Sequence, residues 1–295
     1  MRPLVDEDGI VRAAVLQMNT GEDVEANVQS ALDLVDEAAG RGARLLVLPE
    51  KFHYLGAGEG VARARQSLDG PLLGRLSEAA ARHEVYLVAG SIWEEIAGET
   101  RTYNASVLLG PDGRRLAVYR KIHMFDVEVG GQAYRESDSC APGDEAVAVK
   151  APSAWPGTGA SAEVVVGLTI CYDLRFPELY RAVADLGASI VTVPAAFTMT
   201  TGRDHWHVLV RARAIENQVY MVAANQTGRD GRGLESYGRS VIVDPWGVVL
   251  AQAPDRVGVA VADLDLGYLR RVRTSLPSLA NRAPEAYSRR RLLEA

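Results

Sequence analysis

Short apolar runs, some followed by helical patterns and others by tight-turn signals, constrain this chain more than any other feature. Residues 11–17, 45–48, 86–90, 103–109, 115–120, 164–170, 190–193, 220–224, 240–243 and 248–250 read as strands. Helical spacing appears at 24–39, with Val28, Leu32 and Val35 on one face and Gly40 and Gly42 as the stop, and again at 72–83, 177–186 and 206–217. Pro111-Asp112-Gly113 and Asp244-Pro245-Trp246-Gly247 separate strand pairs as hairpin turns. A chain that alternates strands with helices in some places and hairpins in others calls for mixed sheets in an α/β layer architecture. Two such sheets would stack as a sandwich.

At 295 residues with 47% hydrophobic content, the chain can bury a core of one large domain or two smaller ones. One domain over 1–295 is the simpler reading, because no repeat, low-complexity stretch or clear linker interrupts it. The nearest linker candidate, residues 152–157, reads as a surface loop. A net charge of -6 and a pI near 5.5 argue against a nucleic-acid partner, whose footprint is a basic face. Arg289, Arg290 and Arg291 form a short basic tail that reads as solvated.

Two cysteines, Cys140 and Cys171, are too few for a disulfide framework and suit a reducing compartment, so the cytoplasm is the expected location. The acidic start at Asp6, Glu7 and Asp8 is unlike a signal peptide. No run reaches the roughly eighteen apolar residues of a membrane helix, and no membrane partner is expected.

Cys171 stands where a β run meets a turn and a helix start, a position at which a thiolate gains from the helix dipole. The same position also fits a buried, inert thiol. Glu50 and Lys121 likewise end apolar runs. A carboxylate can take a thiol's proton and pass it to an amine, and a lysine can neutralise an oxyanion, so the three would make an acyl-transfer apparatus if they met. The segment from Asp126 to Gly143, polar and glycine-containing, reads as a loop over that site. Asp173 and Arg175 read as a charge pair fixing the turn after Cys171. His205 and His207 flank Trp206, which points to packing. The five histidines are scattered without ligand spacing, so no metal and no cofactor is expected.

Leu46-Val47-Leu48-Pro49-Glu50, Tyr119-Arg120-Lys121-Ile122-His123 and Ile170-Cys171-Tyr172-Asp173-Leu174-Arg175-Phe176-Pro177-Glu178 resemble, in order, the three signature segments of the nitrilase (carbon-nitrogen hydrolase) superfamily. The likeness continues through Phe197, His205-Trp206, residues 211–217 and 237–240. It implies a four-layer α-β-β-α sandwich with mixed sheets, Glu50 as general base, Lys121 as oxyanion stabiliser and Cys171 as nucleophile. By the same resemblance Tyr172 supplies a backbone oxyanion donor, and Glu136 is a second glutamate that positions substrate or assists the lysine; Phe197 and Thr198, just after the strand ending Val193-Pro194, are candidates for lining the substrate pocket.

Around Lys121 and Cys171 the chain looks most like the branch containing omega-amidase and deaminated-glutathione amidase. That implies hydrolysis of a small linear amide through a thioester on Cys171. A nitrile or N-carbamoyl amino acid hydrolase would use the same three residues, with pocket shape deciding. From other classes, a nucleotide-binding module lacks its glycine-rich loop, and a catalytically silent scaffold would not need an intact Glu50, Lys121 and Cys171. The family also implies a homodimer or higher homo-oligomer, with 268–295 as a C-terminal arm at the interface, carrying Leu269, Val272, Leu276 and Leu279.

Overall fold

Both central strands of the fold are apolar on each face, because each is covered on two sides. In the strand Ile10–Gln17, Val11, Ala13 and Val15 point toward one core and Ala14 and Leu16 toward another. Strict alternation of side chains in a strand makes that division automatic, and burial on both faces is why such runs look continuously hydrophobic. The computed structural model describes residues 2–56, 59–153, 163–289 and 291–292. Residues 154–157 of the 152–157 segment, and Arg290 of the basic tail, lie outside them.

The first sheet runs Gly258–Asp265, Ile10–Gln17, Leu45–Val47, Tyr86–Val88, Thr102–Leu109, Ile92–Glu95, with Arg115–Arg120 also paired to Thr102–Leu109. The second runs Val147–Pro152, Glu163–Leu168, Ile190–Ala195, Tyr220–Asn225, Val241–Val243, Val249–Gln252. Each sheet centres on three parallel strands and finishes in antiparallel ones. The helices Val24–Gly40 and Pro71–His83 cover the outside of the first sheet, and Pro177–Asp185 and Met199–Asn217 cover the second. The inner faces meet in one core that joins Val15, Val47 and Val88 to Val166, Val193 and Val222. This is the four-layer α-β-β-α sandwich. None of the described helices is long and apolar enough to cross a membrane.

Several elements differ from the sequence reading. The strand Gly258–Asp265 was not anticipated, although its alternation of valine and alanine with smaller or polar residues is legible afterwards; it pairs along the whole length of Ile10–Gln17. The helix Met199–Asn217 starts earlier than Trp206, at an N-cap where Thr198 Oγ1 accepts from the Thr201 amide. The expected loop at 126–143 is an ordered hairpin, Asp126–Val129 with Gln132–Arg135, turning on Gly130 and Gly131 at φ 62° and 76°. A two-glycine turn with both residues left-handed matches the twist of a two-stranded ribbon. A second hairpin, Thr227–Arg229 with Glu235–Tyr237, rises beside it. In the C-terminal segment, the helix Leu266–Ser275 buries Leu269 and Val272 in this chain's own core and leaves Leu276 exposed.

The carboxyl ends of the two parallel triplets open toward one place. Glu50 follows one, Cys171, Ala196 and Gln226 follow the strands of the other, and Gln226 Nε2 donates to the Glu50 carbonyl at 3.0 Å. Open α/β sheets hold ligands at this end.

Candidate active site

Glu50 and Lys51 leave the strand Leu45–Val47 in a turn where Lys51 adopts φ 52°. A left-handed lysine costs roughly 1–2 kcal/mol, and here it sends two consecutive side chains into the same cavity. Gly90, at φ 47°, lets the neighbouring strand end pass against the Pro49 carbonyl, where a Cβ would collide with backbone. Lys121 directly follows Arg115–Arg120, its amide donating to the Asn104 carbonyl at 2.9 Å. Glu136 opens a 3-10 turn just beyond the 126–135 hairpin.

These four charges form one connected cluster. Lys121 Nζ donates to Glu50 Oε1 at 3.0 Å and to Glu136 Oε2 at 2.7 Å, and Lys51 Nζ donates to Glu136 Oε1 at 3.0 Å while lying 3.9 Å from the centre of the Trp93 ring. Asn104 Nδ2 donates to both carboxylates, and the amides of Ala196 and Phe125 donate to the remaining oxygens at 3.0 and 2.9 Å. Every carboxylate oxygen is therefore satisfied, as burial demands. Lys121 is 1% exposed and Glu50 4%. Burial opposes charge on Lys121, yet Glu136 and Glu50 overcome it and hold the ammonium well above its ordinary range. Burial also works against the Glu136 carboxylate, but Lys121, Lys51 and the Phe125 amide hold it well below the usual carboxylate range.

Cys171 sits at the sheet end opposite, with φ 47°, another strained left-handed position. Asp173, fully buried, fixes it: Oδ2 accepts from the Ile170 amide at 2.8 Å and from Tyr119 Oη at 2.7 Å, and Oδ1 lies 2.7 Å from His123 Nδ1. The expected Asp173–Arg175 pair does not form. Asp173 turns inward to Tyr119 and His123, whereas Arg175 projects over the cavity, with its guanidinium 5.2 Å from the Phe197 ring and one nitrogen 3.3 Å from His205 Nδ1.

The thiol also departs from expectation. Cys171 is 8% exposed, and burial followed by the adjacent Glu50 carboxylate pushes it well above its ordinary value, against the pull of Lys121 and the Ala196 amide. A 3-10 turn, Cys171–Arg175, follows it, and the α-helix begins only at Pro177, so the helix dipole does not outweigh desolvation. Burial therefore favours the neutral thiol, with the Glu50 carboxylate as its nearby charged acceptor.

The cavity, about 440 Å³, is lined by Glu50, Lys51, Lys121, Glu136 and Cys171, and by Tyr172, Phe197 and Thr198 as well. The seven residues given catalytic or substrate-lining roles from sequence thus reach one space. His205 and His207 stay outside its lining; His207 pairs with Gln252 and Trp206 is buried between them. Lys51 and Asn104 were missed. Asn104 had a signal, a polar residue inside an apolar strand, but the left-handed turn that brings Lys51 inward has none. No group of three His, Cys, Asp or Glu side chains able to hold a metal occurs among the described residues.

Residues 12–274 match the model of the carbon-nitrogen hydrolase family. Over 92% of the chain, the sequence is 40% identical to the deaminated glutathione amidase of Synechocystis, covering 97% of that protein. It is 36% identical to the human omega-amidase NIT2, covering 94% of this chain and 96% of that one. Among solved structures, the NitFhit protein of C. elegans superposes with a TM-score of 0.84 at 34% identity, over 96% of this chain and 67% of that one.

Proposed function

Because the chain belongs to the carbon-nitrogen hydrolase family, we propose that it is an amidase that cleaves the terminal amide of a small carboxylate-bearing substrate, of the ω-amide keto acid or deaminated glutathione type. The observation that carries the reading is the convergence of Glu50, bonded to Lys121 at 3.0 Å, and Cys171 on the lining of one cavity.

Glu50 takes the thiol proton as sulfur bonds to the amide carbon, and the carbonyl electron pair moves onto oxygen beside Lys121 and the Tyr172 amide. Glu50 then protonates the leaving nitrogen, the C–N bond breaks, and ammonia or an amine departs, leaving a thioester on Cys171. Water, deprotonated by Glu50, attacks the thioester; the C–S bond breaks and the proton returns to sulfur. Glu136 holds Lys121 in place. Phe197 and Thr198 shape the wall, and Arg175, which has no carboxylate partner among the described residues, receives the substrate's carboxylate. Arg232, by contrast, is already paired with Asp230 at the cavity edge.

The whole chain acts as one catalytic domain, and two copies associate. Val208 and Ile215 on the helix Met199–Asn217 and Trp246 and Val248 on the adjoining hairpin are exposed, up to 65% for Val208, forming the apolar face a second copy would cover, with the segment after Ser275 reaching across. Free thiols at Cys140 and Cys171 suit the cytoplasm.

Wild type and Cys171→Ala are to be incubated with α-keto ω-amides, deaminated glutathione, nitriles and N-carbamoyl amino acids. Release of ammonia from the keto acid amides by wild type alone is expected. Turnover chiefly of nitriles or carbamoyl acids would reassign the substrate, and activity surviving in Cys171→Ala would sink the mechanism.

A further inference from the structure

Lys51 is a largely shielded ammonium, its side chain 11% exposed, that the mechanism above does not use. It lies over Trp93 and, among the carboxylates of the described residues, hydrogen-bonds Glu136 alone. We propose that Lys51 is a positioning residue for this reaction: it is the fourth charge of a closed tetrad, and by holding Glu136 it leaves Lys121 to the oxyanion and Glu50 to the thiol proton.

Counting charges makes the case. Glu50 and Glu136 approach closely enough to share the Asn104 amide, at 2.8 and 2.9 Å, and both contact Lys121. With one lysine the cluster would carry a net negative charge, and two carboxylates sharing a dry site retain a proton between them. With two it is neutral. The groups facing the Lys51 ammonium are Glu136, the Cys140 thiol, Glu50 and Lys121, and the two carboxylates outweigh burial and keep it cationic. The left-handed turn at Lys51 is what delivers that charge.

The inference rests on Glu50 serving as base to Cys171, so its test avoids turnover. Alkylation of Cys171 by iodoacetamide is to be followed across pH by peptide mass spectrometry in wild type, Lys51→Met and the double variant Lys51→Met/Glu136→Gln, with melting curves for each. In Lys51→Met the acid limb should move up by about one pH unit or more. The double variant, whose remaining Glu50–Lys121 pair is neutral again, should return to the wild-type limb. If Lys51→Met fails to fold, a folded double variant with the wild-type limb supports the tetrad equally. An unshifted limb in Lys51→Met, or a double variant that is shifted or unfolded, would overturn it. Wild type with no alkylation at Cys171 at any pH removes the nucleophile itself and this inference with it, whereas absence of ω-amide turnover touches only the substrate assignment.

Discussion

Glu50 and Glu136, far apart in sequence, are spanned by one side-chain amide, since Asn104 Nδ2 donates to Oε1 of each at 2.8 and 2.9 Å. The two carboxylates therefore cannot be changed independently. Glu136 contacts two lysines and Glu50 one.

Glu50→Gln keeps the shape and the contact with Ala196 but cannot accept the thiol proton. We expect kcat to fall by about 10²- to 10⁴-fold with KM nearly unchanged, measured by ammonia release. A loss smaller than tenfold would assign the base elsewhere.

Arg175→Gln removes the cation over Phe197. A charge-assisted contact is worth about 1.5–3 kcal/mol, so KM for carboxylate-bearing amides should rise roughly 10- to 100-fold, while a neutral amide of equal length is unaffected. Equal losses on both substrates would mean that Arg175 only packs.

His53 is fully buried, with Nε2 3.0 Å from the Ala64 carbonyl and Nδ1 lacking a partner among the described residues. Burial pushes its pKa from 6.5 down to about 4. The unfolded chain therefore takes up the proton first, so this contribution to stability is whole above pH 6.5, declines as pH falls toward 4, and is level below. The gap corresponds to about 3 kcal/mol. Urea unfolding of wild type and His53→Gln across this range should show a shallower pH slope in the variant.

Gly90→Ala places a methyl group against the Pro49 carbonyl at a left-handed φ. A loss of about 1–3 kcal/mol is expected by thermal unfolding. Activity should fall further than stability explains, because Glu50 is the next residue.

Strand and helix positions were mostly legible because their apolar periods survive in any context. Glu50, Lys121 and Cys171 were visible as polar residues ending apolar runs, but grouping them required resemblance, since a strand end says nothing about which other strand end it faces. What escaped was written in backbone angles and partners: the left-handed Lys51, the inward turn of Asp173 to Tyr119 and His123 in place of Arg175, and the burial that keeps the Cys171 thiol protonated. Gly130-Gly131 did carry a hairpin signal, masked by the polarity around it. Burial is a property of the assembled sandwich, so no local window could have revealed that desolvation outweighs the helix dipole at Cys171.

Two hairpins line the cavity, with Gln132, Tyr134 and Arg135 from one and Arg232, Leu234 and Glu235 from the other, while Glu50, Lys51, Lys121 and Cys171 follow strand ends of the sandwich and Glu136 follows the first hairpin. Descent with modification can therefore rewrite the second hairpin without touching any member of the charged cluster. The first hairpin is tethered at its end by Glu136, so a lineage can vary its tip but not its base.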